Sequence, residues 1–255
     1  MKLNKILAAA LIAASSASSM AAIIAPVSGN GELTLVMWDA GDKVSYVKDL
    51  GIQLDSFDPT TSLSFALSDT FFASFLTIAN TTTSDIQFAV VGGDNLATGG
   101  RRIFTTIDNA VTPLTGSLNN SANNFLGNLQ SAQNLPSAQG DHDTNLNGSS
   151  YAIVGDSVAN RYALPNIPSL QNTATGWTTG NVVGVDAQFR SFLSLNTSGT
   201  QATQRTFDGI WNVVNTGGAF TANYNVAAVP EADGIAMALA GFGALGFVVF
   251  RRRQS

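Results

Sequence analysis

Apolar residues recur at every second position in several short stretches of this chain. Ser62–Leu67 (SLSFAL) places Leu63, Phe65 and Leu67 on one side, the period of a half-buried strand. Phe220–Val226 does the same with Phe220, Ala222, Tyr224 and Val226. Glu32–Trp38 (ELTLVMW) is β-prone and bounded by Gly and Asp, and Val44–Leu50 alternates weakly through Val44, Tyr46 and Lys48. Asp85–Val91, Arg102–Ile107, Ala187–Leu195 and Thr206–Val214 are further strand candidates. Phe71–Ala79 is a short apolar run that fits helix or strand equally. Asn215-Thr216-Gly217-Gly218 reads as a turn, because Gly supplies positive φ, and predicts a hairpin from the last two strands.

Residues 109–181 break this pattern. They are rich in Asn, Ser, Gly and Pro, with short helical signals at Leu118–Leu129 and Ser157–Ala163. The expected fold is mainly β, an antiparallel sandwich-like domain with an irregular, partly helical middle.

Both ends follow a different pattern. Lys2 and Lys5 precede the apolar run Ile6–Ala14, a small polar stretch Ser15–Ser19, and Ser19-Met20-Ala21. That order predicts a signal peptide over residues 1–21, cut after Ala21 or, as second choice, after Ala22. It implies the export translocon and signal peptidase as partners. Near the other end, Val229-Pro230-Glu231-Ala232 and Asp233 precede seventeen uncharged residues, Gly234–Phe250, and then Arg251-Arg252-Arg253. As a helix, residues 234–250 would rise roughly 25 Å, near the lower limit for a membrane span. The glycines within this run are tolerated in membrane helices, and the Arg cluster is expected to stay cytoplasmic as a membrane stop.

The stretch VPEADGIAMALAGFGALGFVVFRRRQS resembles the PEP-CTERM sorting tail of Gram-negative bacteria. Such tails join a Val-Pro-Glu-Pro-like motif to a glycine-bearing apolar helix and an Arg cluster; here Ala232 stands in place of the second Pro. The resemblance covers residues 229–255 and divides the chain into a signal peptide (1–21), an exported β-rich domain (22–228) and a sorting tail (229–255). It implies recognition by an exosortase-type membrane protease and cleavage near Pro230-Glu231. The precursor would be anchored in the inner membrane with its body outside the cytoplasm, and the mature form would lie at the cell surface or be secreted. Proteins with such tails are associated with exopolysaccharide and biofilm formation. The segments GELTLVMWDAGDKVSYVKDLGIQLDSF and FDGIWNVVNTGGAFTANYNV resemble, more loosely, stretches of other exported proteins with this tail, and assign no activity.

Composition narrows the chemistry. Residues 22–228 carry seven basic and fifteen acidic side chains, a net charge of −8, which argues against a nucleic-acid partner. The chain has no Cys, one His and two Glu, so disulfides and thiolate catalysis are excluded and few groups remain for acid–base work. The expectation is a non-enzymatic structural or adhesive protein of the exopolysaccharide or biofilm matrix.

Several motifs bear on alternatives. Gly155-Asp156-Ser157 after Ala152-Ile153-Val154 resembles the first block of GDS-type esterases. The single base, His142, precedes it, and residue 139 is Gln where the family places Asp, so Ser157 reads as a turn residue. Asp143, Asn145 and Asn147 with Gly148 match the first half of a calcium loop, with Asp141 or Asp156 as a further carboxylate; Val154 stands where a bidentate Glu is required. Trp177 lies among Thr and Gly and is the better saccharide-stacking candidate, while Trp38 and Trp211 lie in strand-like runs and read as core. Together these give a carbohydrate-binding module, calcium-assisted or not, as the alternative function. Gly92-Gly93-Asp94 and Gly99-Gly100 read as brackets of a loop, and Arg101-Arg102 as a solvated surface pair.

Overall fold

The structure is a computed structural model, and it describes residues 31–79, 86–96, 100–108, 140–141, 147–153, 180–194 and 203–227. A first unit ends at Asn225; of the second, residues 226–255, only Val226 and Ala227 are described.

The first unit begins with a hairpin of β1 (Glu32–Asp39) and β2 (Val44–Gln53). Asp39 closes its turn, its Oδ1 accepting from the amides of Gly41 at 2.8 Å and Asp42 at 3.0 Å. All eight residues of β1 are buried, so both of its faces are covered. β3 (Leu63–Leu67) leads into α1 (Thr70–Ile78), which settles the ambiguous run as helix. The deciding residue is Asp69, whose Oδ1 accepts from the Phe72 amide at 2.9 Å and caps the first turn. β4 (Ile86–Asn95), β5 (Arg101–Asp108), β6 (Ser149–Ile153), β7 (Asn181–Val182), β8 (Ala187–Ser194), β9 (Thr203–Thr216) and β10 (Ala219–Asn225) complete the elements. The β9–β10 turn is as expected: Gly217 (φ 62°) and Gly218 (φ 92°) take the positive-φ positions, and Thr216 pairs with Ala219.

All strand pairs are antiparallel and form one sheet in the order β3-β10-β9-β8-β5-β4-β1-β2-β6, with β7 beside β4. The sheet is curled, and one ring shows it. Phe72 of α1 lies 5.0 Å from Tyr46 on β2 and 5.3 Å from Phe220 on β10, so those two rings are within about 10 Å of each other. In a flat sheet, the six inter-strand steps between β2 and β10 would separate them by roughly 29 Å. The two halves of a single sheet therefore face each other, and the sandwich-like core arises by rolling.

Alternate residues of each strand supply that core. Phe88, Met37 and Tyr46 lie opposite one another across β4, β1 and β2, all buried. From the other half come Phe189, Phe207, Trp211 and Tyr224, with ring centroids 5.4–6.1 Å apart in successive contacts. Trp38 and Trp211 are core residues, as expected. The opposite faces of β1, β2 and β4 are buried as well, through Val36, Val47 and Ala89. Those of β9, β10 and β3 instead carry a polar row. There Ser64 Oγ donates to Asn223, Asn223 to Asn212, and Asn212 to Asp186, at 2.8, 3.3 and 2.9 Å.

Two readings change. β4 continues past the expected end at Val91 through Gly92-Gly93-Asp94 to Asn95, so the connection to β5 is shorter than the glycines suggest. A Cβ at Gly92 would press on the Leu54 and Leu33 side chains, so the glycine is what lets Leu54 close on the sheet. Within the middle, Ser149–Ile153 is an edge strand on β2 rather than loop. Among the described residues no helix is long and apolar enough to cross a membrane; residues 234–250 lie outside them. So do the signal segment 1–21 and the helical signals at 118–129 and 157–163.

Candidate functional site

Arg102 and Asp94 face each other in the β4–β5 register. Their pairing is a two-point fork: Arg102 Nε donates to Asp94 Oδ1 at 3.1 Å and Nη2 to Oδ2 at 2.6 Å. The remaining Nη1 meets Asp55 Oδ1 at 2.7 Å, from the segment that follows β2. Asp94 is 1 % exposed and Asp55 62 %, so the guanidinium joins a buried acid to a solvated one. Burial alone lowers the Arg102 pKa; the bonds to Asp94 and Asp55 outweigh it and hold the pKa above its usual value. The Arg102 of the expected solvated pair is thus mostly withdrawn from water.

Aromatic rings line the space beside this fork. Phe104 and Phe207 stack at 5.6 Å and 13°, and Phe57 meets both edge-on at 6.1 and 5.5 Å. Each stacked ring carries a guanidinium: Arg102 lies 5.8 Å from the Phe104 centroid and Arg205 lies 5.0 Å from Phe207. Together they enclose a cleft of about 370 Å³, with Ser191 and Thr203 on its wall. The size is at the lower end for small-molecule sites, and an apolar floor with a few convergent polar groups is their usual chemistry.

A second cluster joins α1 to the sheet. Asp69 accepts from Tyr46 OH and Ser149 Oγ, both at 2.7 Å, with Lys48 Nζ 3.7 Å away. Burial pushes the Asp69 pKa up, but these bonds and the Phe72 amide prevail and lower it; burial and the neighbouring carboxylate raise that of Tyr46. Both oxygens of Asp69 are engaged, and the carboxylate ties the first turn of α1 to β2 and β6.

The calcium-loop residues are split by what the structure describes. Asp141 exchanges backbone and side-chain bonds with Ser149: its amide donates to Ser149 O at 2.9 Å, and its Oδ1 accepts from Ser149 N at 3.0 Å. Asn147 has φ 56°, donates its amide to Asp49 Oδ2 at 3.1 Å, and offers its carbonyl to Lys48 Nζ at 3.1 Å. Asp143, Asn145 and His142 lie outside the described residues. Among those described, no group of three or more His, Cys, Asp or Glu could hold a metal ion. Trp177, Ser157, the cleavage residues Ala21 and Ala22, the motif Val229–Ala232 and the stop residues Arg251–Arg253 are also outside them.

Sequence reasoning did not find Asp55, Asp94, Arg102 and Arg205. The available signal was the strand character of Arg102–Ile107 together with an Asp eight residues before Arg102. Extending the preceding strand through its glycines would have placed the two in register. No family model matches the chain, and it has no match among curated proteins or solved structures.

Proposed function

We propose that this is an exported protein of the bacterial envelope, sorted by a PEP-CTERM-like tail and serving as a non-enzymatic structural or adhesive component of the extracellular matrix. The observation that carries this reading is the segment 229–253: Val-Pro-Glu-Ala, a glycine-bearing uncharged stretch and an Arg triplet, in that order. The low ionisable content of the body and its mainly β architecture support a scaffold role. The test is intact-mass measurement of cell-surface and medium fractions from cells with and without the exosortase-type protease. Loss of the tail after a cut near Pro230-Glu231, only where the protease is present, is the expected result. One identical mass in both strains, or a body that stays in the cytosol, defeats the reading.

A second reading, saccharide binding, is favoured by the Arg102 cleft, where aromatic rings and guanidiniums share one cavity. Such an arrangement suits ligands with a flat apolar face and polar substituents.

A further inference from the structure

We propose that the Arg102 cleft takes a sugar acid: a pyranose ring bearing one carboxylate, linked to neutral sugars. The proposal rests on the second reading above, that this cleft is a ligand site, and is independent of the sorting tail.

Four observations point to that ligand class. The first is the pair of guanidiniums on one cavity with unequal partners. Arg102 is met by both Asp94 and Asp55, whereas Arg205 has no carboxylate within ion-pair distance among the described residues. Arg205 is exposed and held over the Phe207 ring, so its charge is placed but not neutralised. The second is Asp55, a solvated carboxylate resting on Arg102 Nη1 at the rim. It marks where a ligand acid can sit, and a ligand carboxylate between Arg102 and Arg205 would take over that contact.

The third concerns charge number. Two guanidiniums against Asp94 and Asp55 leave the cleft close to neutral, and the exported region carries −8. A phosphate dianion or a densely charged chain would meet more repulsion than one carboxylate on a large uncharged body. The fourth is the rest of the lining. Phe57 is half-buried and lines the cleft together with Phe104 and Phe207, an apolar surface for the C–H face of a sugar ring. The hydroxyls of Ser191 and Thr203 are engaged by no other described residue and can meet sugar hydroxyls.

The experiment titrates the full-length protein in detergent with an aldobiouronic acid, a disaccharide of one uronate and one neutral sugar. Its methyl ester, cellobiose and benzoate serve as comparisons. The acid is expected to bind at least about tenfold more tightly than its ester, as charge-assisted bonds to guanidinium require. Arg205→Met keeps the apolar stem over Phe207 and is expected to abolish that preference with the circular dichroism spectrum unchanged. Asp55→Asn is expected to tighten the acid several-fold by removing its competitor at Arg102. Equal binding of acid and ester overturns the sugar-acid proposal but leaves a neutral saccharide site standing. Benzoate binding as tightly as the disaccharide overturns it in favour of a planar acid. If none of the four binds, both the proposal and the saccharide reading fall. An Arg205→Met protein with the wild-type preference places the acid somewhere else and also overturns it.

Discussion

Asp94 and Asp69 are both acidic residues beside cations, yet they do different work. Asp94 is buried, and its two oxygens are matched to the Arg102 fork. Asp94→Ala would strand a largely buried guanidinium with only the solvated Asp55, at a cost of about 3 kcal/mol. A drop in the urea midpoint at constant m-value is the expected readout; an unchanged midpoint would show the fork to be dispensable. Asp69 has its pKa lowered in the folded state. Its contribution is therefore present above the unfolded carboxylate value of about 4 and is lost as pH falls toward the folded value. The stability gap between wild type and Asp69→Asn should shrink on acidification below about pH 4. A gap that stays constant from pH 6 to pH 3 would refute the assignment.

At the scale of elements, α1 has nine residues and could not persist alone in water. Its stability comes from the Asp69 cap and from Phe72 and Phe75, both buried against the sheet. Because the Phe72 ring touches Tyr46 and Phe220, it links two strands far apart in the sheet order. Phe72→Ala should cost about 3–5 kcal/mol and accelerate amide exchange in β2 and β10 together. Acceleration confined to one of them would mean the helix does not couple the two halves. The β9–β10 turn offers a smaller test. Gly218 sits at φ 92°, and Gly218→Ala should destabilise by about 1 kcal/mol through backbone strain alone, since nothing lies within 4 Å of an added Cβ. Chemical denaturation can resolve that difference.

The whole sheet combines hairpins with distant closures. β1–β2 and β9–β10 join sequence neighbours, whereas β3–β10 and β2–β6 bring together residues about 160 and 100 positions apart, as Ser64–Asn223 and Lys48–Asn147 show. Closing such loops must precede the burial that rewards it, so folding is expected in milliseconds to seconds, not microseconds. Stopped-flow fluorescence of Trp38 and Trp211 would measure it, and a microsecond phase carrying the full amplitude would contradict the topology.

Much of the element list was written locally. Ser62–Leu67 and Phe220–Val226 alternate visibly because one face of each strand meets core and the other remains more open. β1 and the end of β4 were harder, because burial on both faces erases the alternation and two glycines imitate a loop. The cleft was illegible for a further reason. Asp55, Arg102 and Arg205 belong to three segments, and the charge of each says nothing about which of the others it will meet. The sequence alone determined the β class, the tail pattern and the scarcity of acid–base groups, since these depend on residue type and short-range spacing. Only the tertiary structure decided that one sheet rolls upon itself, that Arg102 leaves solvent and that two guanidiniums share a cavity. Those facts depend on register and curl, which arise when distant strands compete to bury the same aromatic surface.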